Sequence, residues 1–410
     1  MDLTDEKGLL CGKLLGDIGA DVIKIEPPGG DAARNIGPFY KDIPHPEKSL
    51  FWFFTNLNKR GITLDIETPD GKEIFERLVR SADFVIESFE PGYMESLGLG
   101  YEELEKINPR IIMTSITPFG QSGPYAYYKT TDLVGVAMGG LVRIFGELDR
   151  PPNRITAPQF YFLGGLHGYM GSMVAHYHRE LTGEGQHVDV SCQQAVVMSL
   201  APAAEVWDMM KFKWRGLGGV VPYPRPEPHG LLFLHLMYRC KDGHVLAPLV
   251  GGAQAGMVKS TRAVVEMANR EGMMLELKDY DWTAHDTSTI AGEKFNRLQE
   301  LWQEYLLTKT KAEILQWAAE KEVMILPGSD AKDVLESPQL AAREFWVKVA
   351  HPELGQAITY PGWPIKMSGL PPYQPQRRAP LIGEHNNEIY HDELGLSKEQ
   401  LVILKAHDII

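Results

Sequence analysis

Apolar runs alternate with short polar or Gly/Pro breaks through the first half of the chain, and their lengths and periods separate strands from helices. Leu10, Leu14, Leu15 and Ile18 share one face of a helix over 9–18. The loop Asp5-Glu6-Lys7-Gly8 precedes it, and Met1–Thr4 reads as the end of a strand. Gly19-Ala20-Asp21 turns into a strand over 22–26, which Pro27-Pro28-Gly29-Gly30 stops. The unit then recurs. A strand is predicted at 62–66, a helix from Thr68-Pro69 to about 82 with Thr as cap and Pro in the first turn, and a strand at 83–88. A short helix at 93–97, a strand at 111–117 and a helix over 131–144 follow. Repeated strand–helix–strand units predict a parallel α/β sheet. No GxGxxG follows the first strand, so a dinucleotide fingerprint is absent.

The most informative stretch is Pro158 to Ser191: an apolar helix, the turn Thr182-Gly183-Glu184-Gly185-Gln186, and a strand over 187–190. Gly164, Gly165, Gly168, Gly171, Ser172 and Ala175 recur on the helix at helical spacing, a face that admits another backbone or a ligand at close range. Between Asp149 and Glu180 there is no acid.

Beyond a helix predicted to reach about 212, composition shifts. Residues 214–230 are dense in Gly and Pro and read as a linker; a hairpin (233–240 and 244–250) and helices over 258–270, 293–307 and 311–321 follow. This divides the chain into a large domain, 1–213 with 331–410, and a smaller α+β domain, 225–330.

The 410 residues are 44% hydrophobic and 23% charged, with a net charge of −13 and no massed Lys/Arg. Nucleic acid and anionic membranes are therefore poor partners, and an anionic ligand needs a local basic pocket. Cys11, Cys192 and Cys240 have no metal-ligand spacing and are odd in number; they read as buried thiols in a reducing compartment, without a metal site. With no signal peptide and no long apolar run, the expected location is the cytoplasm.

Nine segments carry a resemblance: DLT at 2–4, GADVIKIEPPGGD at 19–31, NLNKRGITLD at 56–65, ESFEPG at 87–92, INPRII at 107–112, FGQSGP at 119–124, HRELTGEGQHVDVS at 178–191, SPQLAAREF at 337–345 and APLIGEH at 379–385. In this order they resemble the family III CoA-transferases of the CaiB/BaiF type, which include formyl-CoA, carnitine and benzylsuccinate CoA-transferases and related acyl-CoA racemases. The resemblance implies a doubly wound, Rossmann-like sheet built from both termini, a smaller α+β domain from the middle, and two chains interlocked as rings.

It also implies the chemistry. An aspartate attacks the acyl-CoA thioester and becomes an aspartyl-CoA thioester through a mixed anhydride. Counting back 21 positions from Thr182 to the family's aspartate lands on Tyr161, and the Gly165-Leu166-His167 match gives the same place. A phenol of pKa near ~10 is a poor acyl acceptor, so the catalytic set of this chain is empty. Asp132 and Asp189 are the alternative acids, His167 an alternative base, and Gly216-Leu217-Gly218-Gly219 falls where relatives carry a glycine loop over the site. The matched CoA-contacting positions are Lys7, Gly8, Arg34, Leu64, Phe89 and Lys129, with an ordinary surface or core residue as the alternative at each. Ser88 and Ser96 stand where the family commonly has asparagine and arginine. By analogy with heteromeric members such as benzylsuccinate CoA-transferase, the chain is expected to be a non-catalytic subunit. Its partner would be a paralogous chain that carries the aspartate and moves CoA from succinyl-CoA to a carboxylic acid. The alternatives are a homodimeric transferase or racemase with an atypical residue, and an acyl-CoA-binding regulatory protein.

Overall fold

The computed structural model of the chain describes residues 1–147, 150–213, 215–216, 218–225, 228, 230–252 and 255–410. These form two compact units, one of Met1–Val142, Arg154–Lys213 and Ala341–Ile410, the other of Arg143–Asn153 and Trp214–Leu340.

The first unit is built on parallel strands: β1 (Val22–Glu26) pairs with β2 (Lys59–Thr63), while β3 (Phe84–Glu87), β4 (Ile112–Thr117) and β5 (Gln186–Ser191) pair in that order. Asp2 bridges both Lys24 of β1 and Ile86 of β3, so the first residues lie between the two groups and the order runs β2-β1-(1–3)-β3-β4-β5. Parallel strands covered on both faces need apolar residues on both; Ile25, Ile62, Val85, Ile112 and Ile116 are all buried.

The predicted strand at 62–66 begins three residues earlier. Lys59 and Arg60 open β2 and are buried, because Lys59 Nζ donates to Asp2 (2.7 Å), the Leu9 carbonyl (2.8 Å) and Asn56 (2.9 Å). A charge paired inside the fold is invisible to a hydropathy pattern.

The helices around these strands are α1 (Leu9–Asp17), α2 (Leu50–Thr55), α3 (Pro69–Val79), α4 (Tyr93–Ser96), α5 (Tyr101–Ile107), α6 (Asp132–Met138), α7 (Gln159–Thr182), α8 (Cys192–Met198) and α9 (Ala203–Met210). Two expected helices are shorter. Gly139 and Gly140 end α6, with Gly140 at φ 86. The helix expected from 192 to 212 breaks between α8 and α9 at Ala201-Pro202, where proline supplies no N–H. The small face of α7 is used inside the unit: a Cβ on Gly164 would lie 2.3 Å from Cys192 Sγ, and one on Gly165 would lie 2.9 Å from Leu10 Cβ. Those glycines set how closely α1 and α8 pack on α7.

In the second unit, β6 (Val220–Pro224) pairs with β7 (Leu231–His235), and β8 (Met237–Cys240), β9 (Gly243–Leu246) and β10 (Leu326–Gly328) form a separate antiparallel sheet. Part of the stretch read as a linker is thus a strand. Helices α10 (Ala255–Arg270), α11 (Gly292–Leu306) and α12 (Lys311–Lys321) belong to the same unit, whose core gathers Trp282, Trp302, Phe295 and Tyr305.

The chain then returns to the first unit with the hairpin β11 (Trp346–His351) and β12 (Gln356–Pro361). Its last segment covers the outer edge of β2: Gly61 N donates to His385 Nδ1 (3.0 Å), Thr63 N to Asn386 Oδ1 (2.9 Å), and Asp65 N to the Ile409 carbonyl (2.8 Å). His385 therefore holds a backbone edge. Overall the chain is a mixed α/β protein with several small sheets.

Candidate active site

Tyr161 lies in the first turn of α7, buried, with its hydroxyl 3.4 Å from the Thr130 carbonyl. Burial, then the nearby charges of Glu6 and Asp5, pushes its phenol well above the ordinary range. It stays protonated at any physiological pH and offers no nucleophile. Of the alternative acids, Asp132 caps α7 from outside: its Oδ1 accepts the Phe160 N–H at 2.9 Å, and Pro158 provides no side-chain cap. Asp189 accepts the Gln121 N–H with both oxygens at 3.1 Å. Each carboxylate thus accepts a backbone N–H. His167 Nδ1 pairs with the Leu163 carbonyl at 2.9 Å, a contact internal to the helix. In the Gly216 loop, Gly216 N donates to the Arg143 carbonyl at 2.8 Å; Leu217 lies outside the described residues.

The loop 5–8 faces Tyr161 from the end of α1. Asp5 N donates to Ser88 Oγ (3.0 Å), Ser88 Oγ donates to Asp5 Oδ1 (2.8 Å), and Lys7 Nζ pairs with Asp5. Gly8 is the N-cap of α1, and a Cβ there would lie 2.5 Å from Thr4 Cγ2. Lys7 and Gly8 thus hold the loop in shape. Next to it, at the ends of β1 and β3, a cavity of ≈ 270 Å³ opens. Leu64 and Phe89, two of the six matched CoA positions, line it, and Phe89 lies against Tyr93 with ring centroids 4.6 Å apart.

Three cations stand behind its walls, Lys7 on Asp5, Lys24 on Asp31 and Arg34 on Glu26. Arg34 is fully buried: its Nε and Nη2 grip Glu26 at 2.6 and 2.7 Å, and Nη1 takes Glu47 at 2.8 Å. A fourth bond reaches the Pro380 carbonyl at 3.0 Å, and the guanidinium lies 3.9 Å over the Trp52 ring. A fork so fully used joins the loop after β1 to the C-terminal segment and has little left for a ligand. Lys129 is 86% exposed and 3.3 Å from Glu90. Ser96 Oγ turns back to the Tyr93 carbonyl.

Two groups emerge only from the structure. Glu6 is half-buried beside Asp5, and burial followed by that neighbouring charge raises its carboxyl. Glu87, at the end of β3, is pushed up to about 7 by burial, against hydrogen bonds from Ser115 and the Phe89 N–H (2.7 Å). Ser115 Oγ in turn lies 2.8 Å from His187 Nε2. A polar residue at the carboxyl end of a parallel strand is the sequence signal that could have found Glu87. Among the described residues no cluster of His, Cys, Asp and Glu could hold a metal, and no helix is long and apolar enough to cross a membrane.

The chain matches the family model of CoA-transferase family III over residues 6–386. The chain belongs to that family and is a CoA-transferase chain, a class whose substrates are CoA thioesters. It is 36% identical over 389 residues to subunit BbsE of succinyl-CoA:(R)-benzylsuccinate CoA-transferase from Thauera aromatica, covering 95% of this chain and 92% of that one. It is 32% identical over 411 residues to succinyl-CoA–D-citramalate CoA-transferase from Chloroflexus aurantiacus, covering 98% and 94%. Among solved structures it resembles a CaiB/BaiF family protein from Brucella suis, with TM-score 0.78 and 28% identity over 95% of this chain and 97% of that one.

Proposed function

We propose that this chain is the aspartate-lacking subunit of a heteromeric family III CoA-transferase that moves CoA from succinyl-CoA to a carboxylic acid such as benzylsuccinate. The observation that carries the reading is Tyr161: a buried, protonated phenol stands where the nucleophile belongs, and Asp132 and Asp189 are tied to backbone N–H groups. Similarity to a protein named as a subunit supports the same reading.

In the partner, an aspartate oxygen bonds to the thioester carbonyl as the C–S bond breaks and CoA thiolate leaves. The thiolate attacks the aspartyl carbonyl of the mixed anhydride and releases succinate. The acceptor carboxylate then displaces the thiolate, which returns to the acceptor's carbonyl and frees the aspartate. This chain contributes the second half of the fold: a doubly wound sheet and, with its partner, an interlocked dimer in the cytoplasm. Leu166, Met170, Val174, Tyr177 and Leu181, spaced by three and four along α7 and 39–70% exposed, are apolar surface for such a partner. Lys7, Gly8, Leu64, Phe89 and Lys129 are what remains of a CoA site.

Co-expression with an Asp-bearing paralogue, native mass spectrometry and a succinyl-CoA exchange assay test this. A mixed complex whose activity dies with the partner's aspartate is expected; exchange by this chain alone refutes it. A second reading rests on Glu6, the half-buried carboxylate nearest in charge to Tyr161. It makes the chain a homodimeric transferase with an atypical nucleophile, and Glu6→Gln would then abolish exchange by the chain alone.

A further inference from the structure

Another cavity, of ≈ 940 Å³, opens in the first unit at the opposite end of β1 from Leu64 and Phe89. Ile18 and Gly19, just before that strand, line it, whereas Glu26 and Pro27 at the far end line the smaller one, five residues or roughly 16 Å of strand away. Its other walls come from the C-terminal return: Trp346 and Lys348 on one face of β11, and Trp363 and Tyr373 beyond β12. Ile365 and Leu370, each more than half exposed, form a lip. The Nε1–H groups of Trp346 and Trp363 are buried and meet no acceptor among the described residues. Native folds rarely leave such donors unpaired, and an orphaned one is a standing cost. The charges are uneven as well. Asp17 is enclosed by Lys13, the Asn58 amide (2.9 Å) and the Tyr373 hydroxyl (2.7 Å), and Glu344 pairs with Lys366 (3.5 Å). Arg343 and Lys348, both exposed, have no acidic partner among the described residues. On a chain of net charge −13 that is a local basic surplus.

We infer that this cavity binds an organic carboxylate with an apolar body, an arylalkanoate of one or two rings being the type. Its volume lies within the roughly 300–1,000 Å³ of small-molecule pockets, and its make-up is theirs too, apolar and aromatic walls with a few convergent polar groups. The ring system lies between Trp346, Trp363 and the lip. The carboxylate reaches Arg343, whose planar fork fits two oxygens at once, with Lys348 as a second point charge. Seated at the indole wall, it also offers the acceptor that Trp346 and Trp363 lack. An uncharged ligand forgoes the charge-assisted contact, and a small polar anion such as acetate forgoes the aromatic walls. The site stands on residues of this chain alone; it goes beyond the subunit reading and does not rest on it.

The probes are 1-naphthylacetate and its uncharged amide, 1-naphthylacetamide, titrated calorimetrically onto the full-length chain at low and at 0.3 M salt, with the melting temperature of each variant measured alongside. The acid is expected to bind about tenfold more tightly than the amide at low salt, the size of one charge-assisted contact, with the gap closing as salt rises. Arg343→Gln should remove that preference while leaving the amide unchanged, and Arg343→Lys should restore part of it. Trp363→Phe, which keeps a ring and drops the N–H, should weaken the acid more than the amide; Trp363→Ala should weaken both. Equal binding of acid and amide overturns the inference. So does acid binding indifferent to both Arg343→Gln and Lys348→Gln, which places the acid elsewhere on the chain, or no acid bound at millimolar concentration.

Discussion

Glu87 offers the sharpest test of the electrostatics at the carboxyl end of the sheet. It is 3% exposed, and burial lifts its carboxyl from 4.5 to about 7, with Glu95 adding to the rise. In the unfolded chain the group titrates near 4.5, so between 4.5 and 7 the folded state holds a proton that the unfolded state has lost. The stability this contributes is fully present below pH 4.5 and is lost as pH rises through about 7, a total of about 3 kcal/mol. Glu87→Gln keeps an acceptor for the Phe89 N–H (2.7 Å) and removes the titration. Urea unfolding followed by tryptophan fluorescence at pH 5, 6, 7 and 8 compares the two proteins. The variant should gain on the natural sequence as pH rises, by about 2–3 kcal/mol between pH 5 and 8. His187, whose ring is held below its usual range by burial, slopes the other way in both proteins and drops out of the difference. Parallel profiles would show that Glu87 ionises freely in the folded state and would refute the reasoning.

Arg34→Ala should cost about 3–5 kcal/mol, because it leaves Glu26 buried without its partner; a loss of ligand affinity without loss of stability would restore Arg34 to the site. Gly165→Leu should separate α1 from α7 and lower the melting temperature, by about 1–3 kcal/mol in stability, since even a Cβ meets Leu10 at 2.9 Å; an unchanged melting temperature counts against that packing. Tyr161→Asp should remain inactive in exchange at pH 7, because burial beside Glu6 and Asp5 would hold the new carboxyl protonated. Mass-spectrometric detection of an aspartyl-CoA adduct on that variant would contradict this.

Much of the first unit could be read from pattern. Val22–Glu26 and the helices behind Thr68 and after Gly8 have apolar spacing and end signals that act locally, and the structure places them there. The placing of Tyr161 at the position expected of the nucleophile rests on a count along one helix. What escaped was long-range and polar. Nothing local tells that Lys59 closes on Asp2, 57 residues away, or that Arg34 is claimed by Glu26, Glu47 and the Pro380 carbonyl. Arg34 fits a phosphate site by residue type, and its partners in the fold are visible only in the structure. Glu6 and Glu87 were missed for the converse reason: their unusual acidity comes from burial, which a sequence does not print. Pro222 and Pro224 hid β6, since prolines in a two-stranded edge pairing look the same as prolines in a linker.

The covered edge of β2 also bears on how the chain is made. Gly61, Thr63 and Asp65 find their outer partners only in residues 385–409, and the Trp52 indole waits for the Pro380 carbonyl. During synthesis, at roughly 5–20 residues per second, more than three hundred residues therefore leave the ribosome while the outermost strand of the first unit stands unprotected. That strand is an open template throughout, the kind of edge that recruits stray chains. Closing it waits for residues 385–409 to be made. A chain that lacks residues 381–410 should therefore expose that edge and be prone to aggregation.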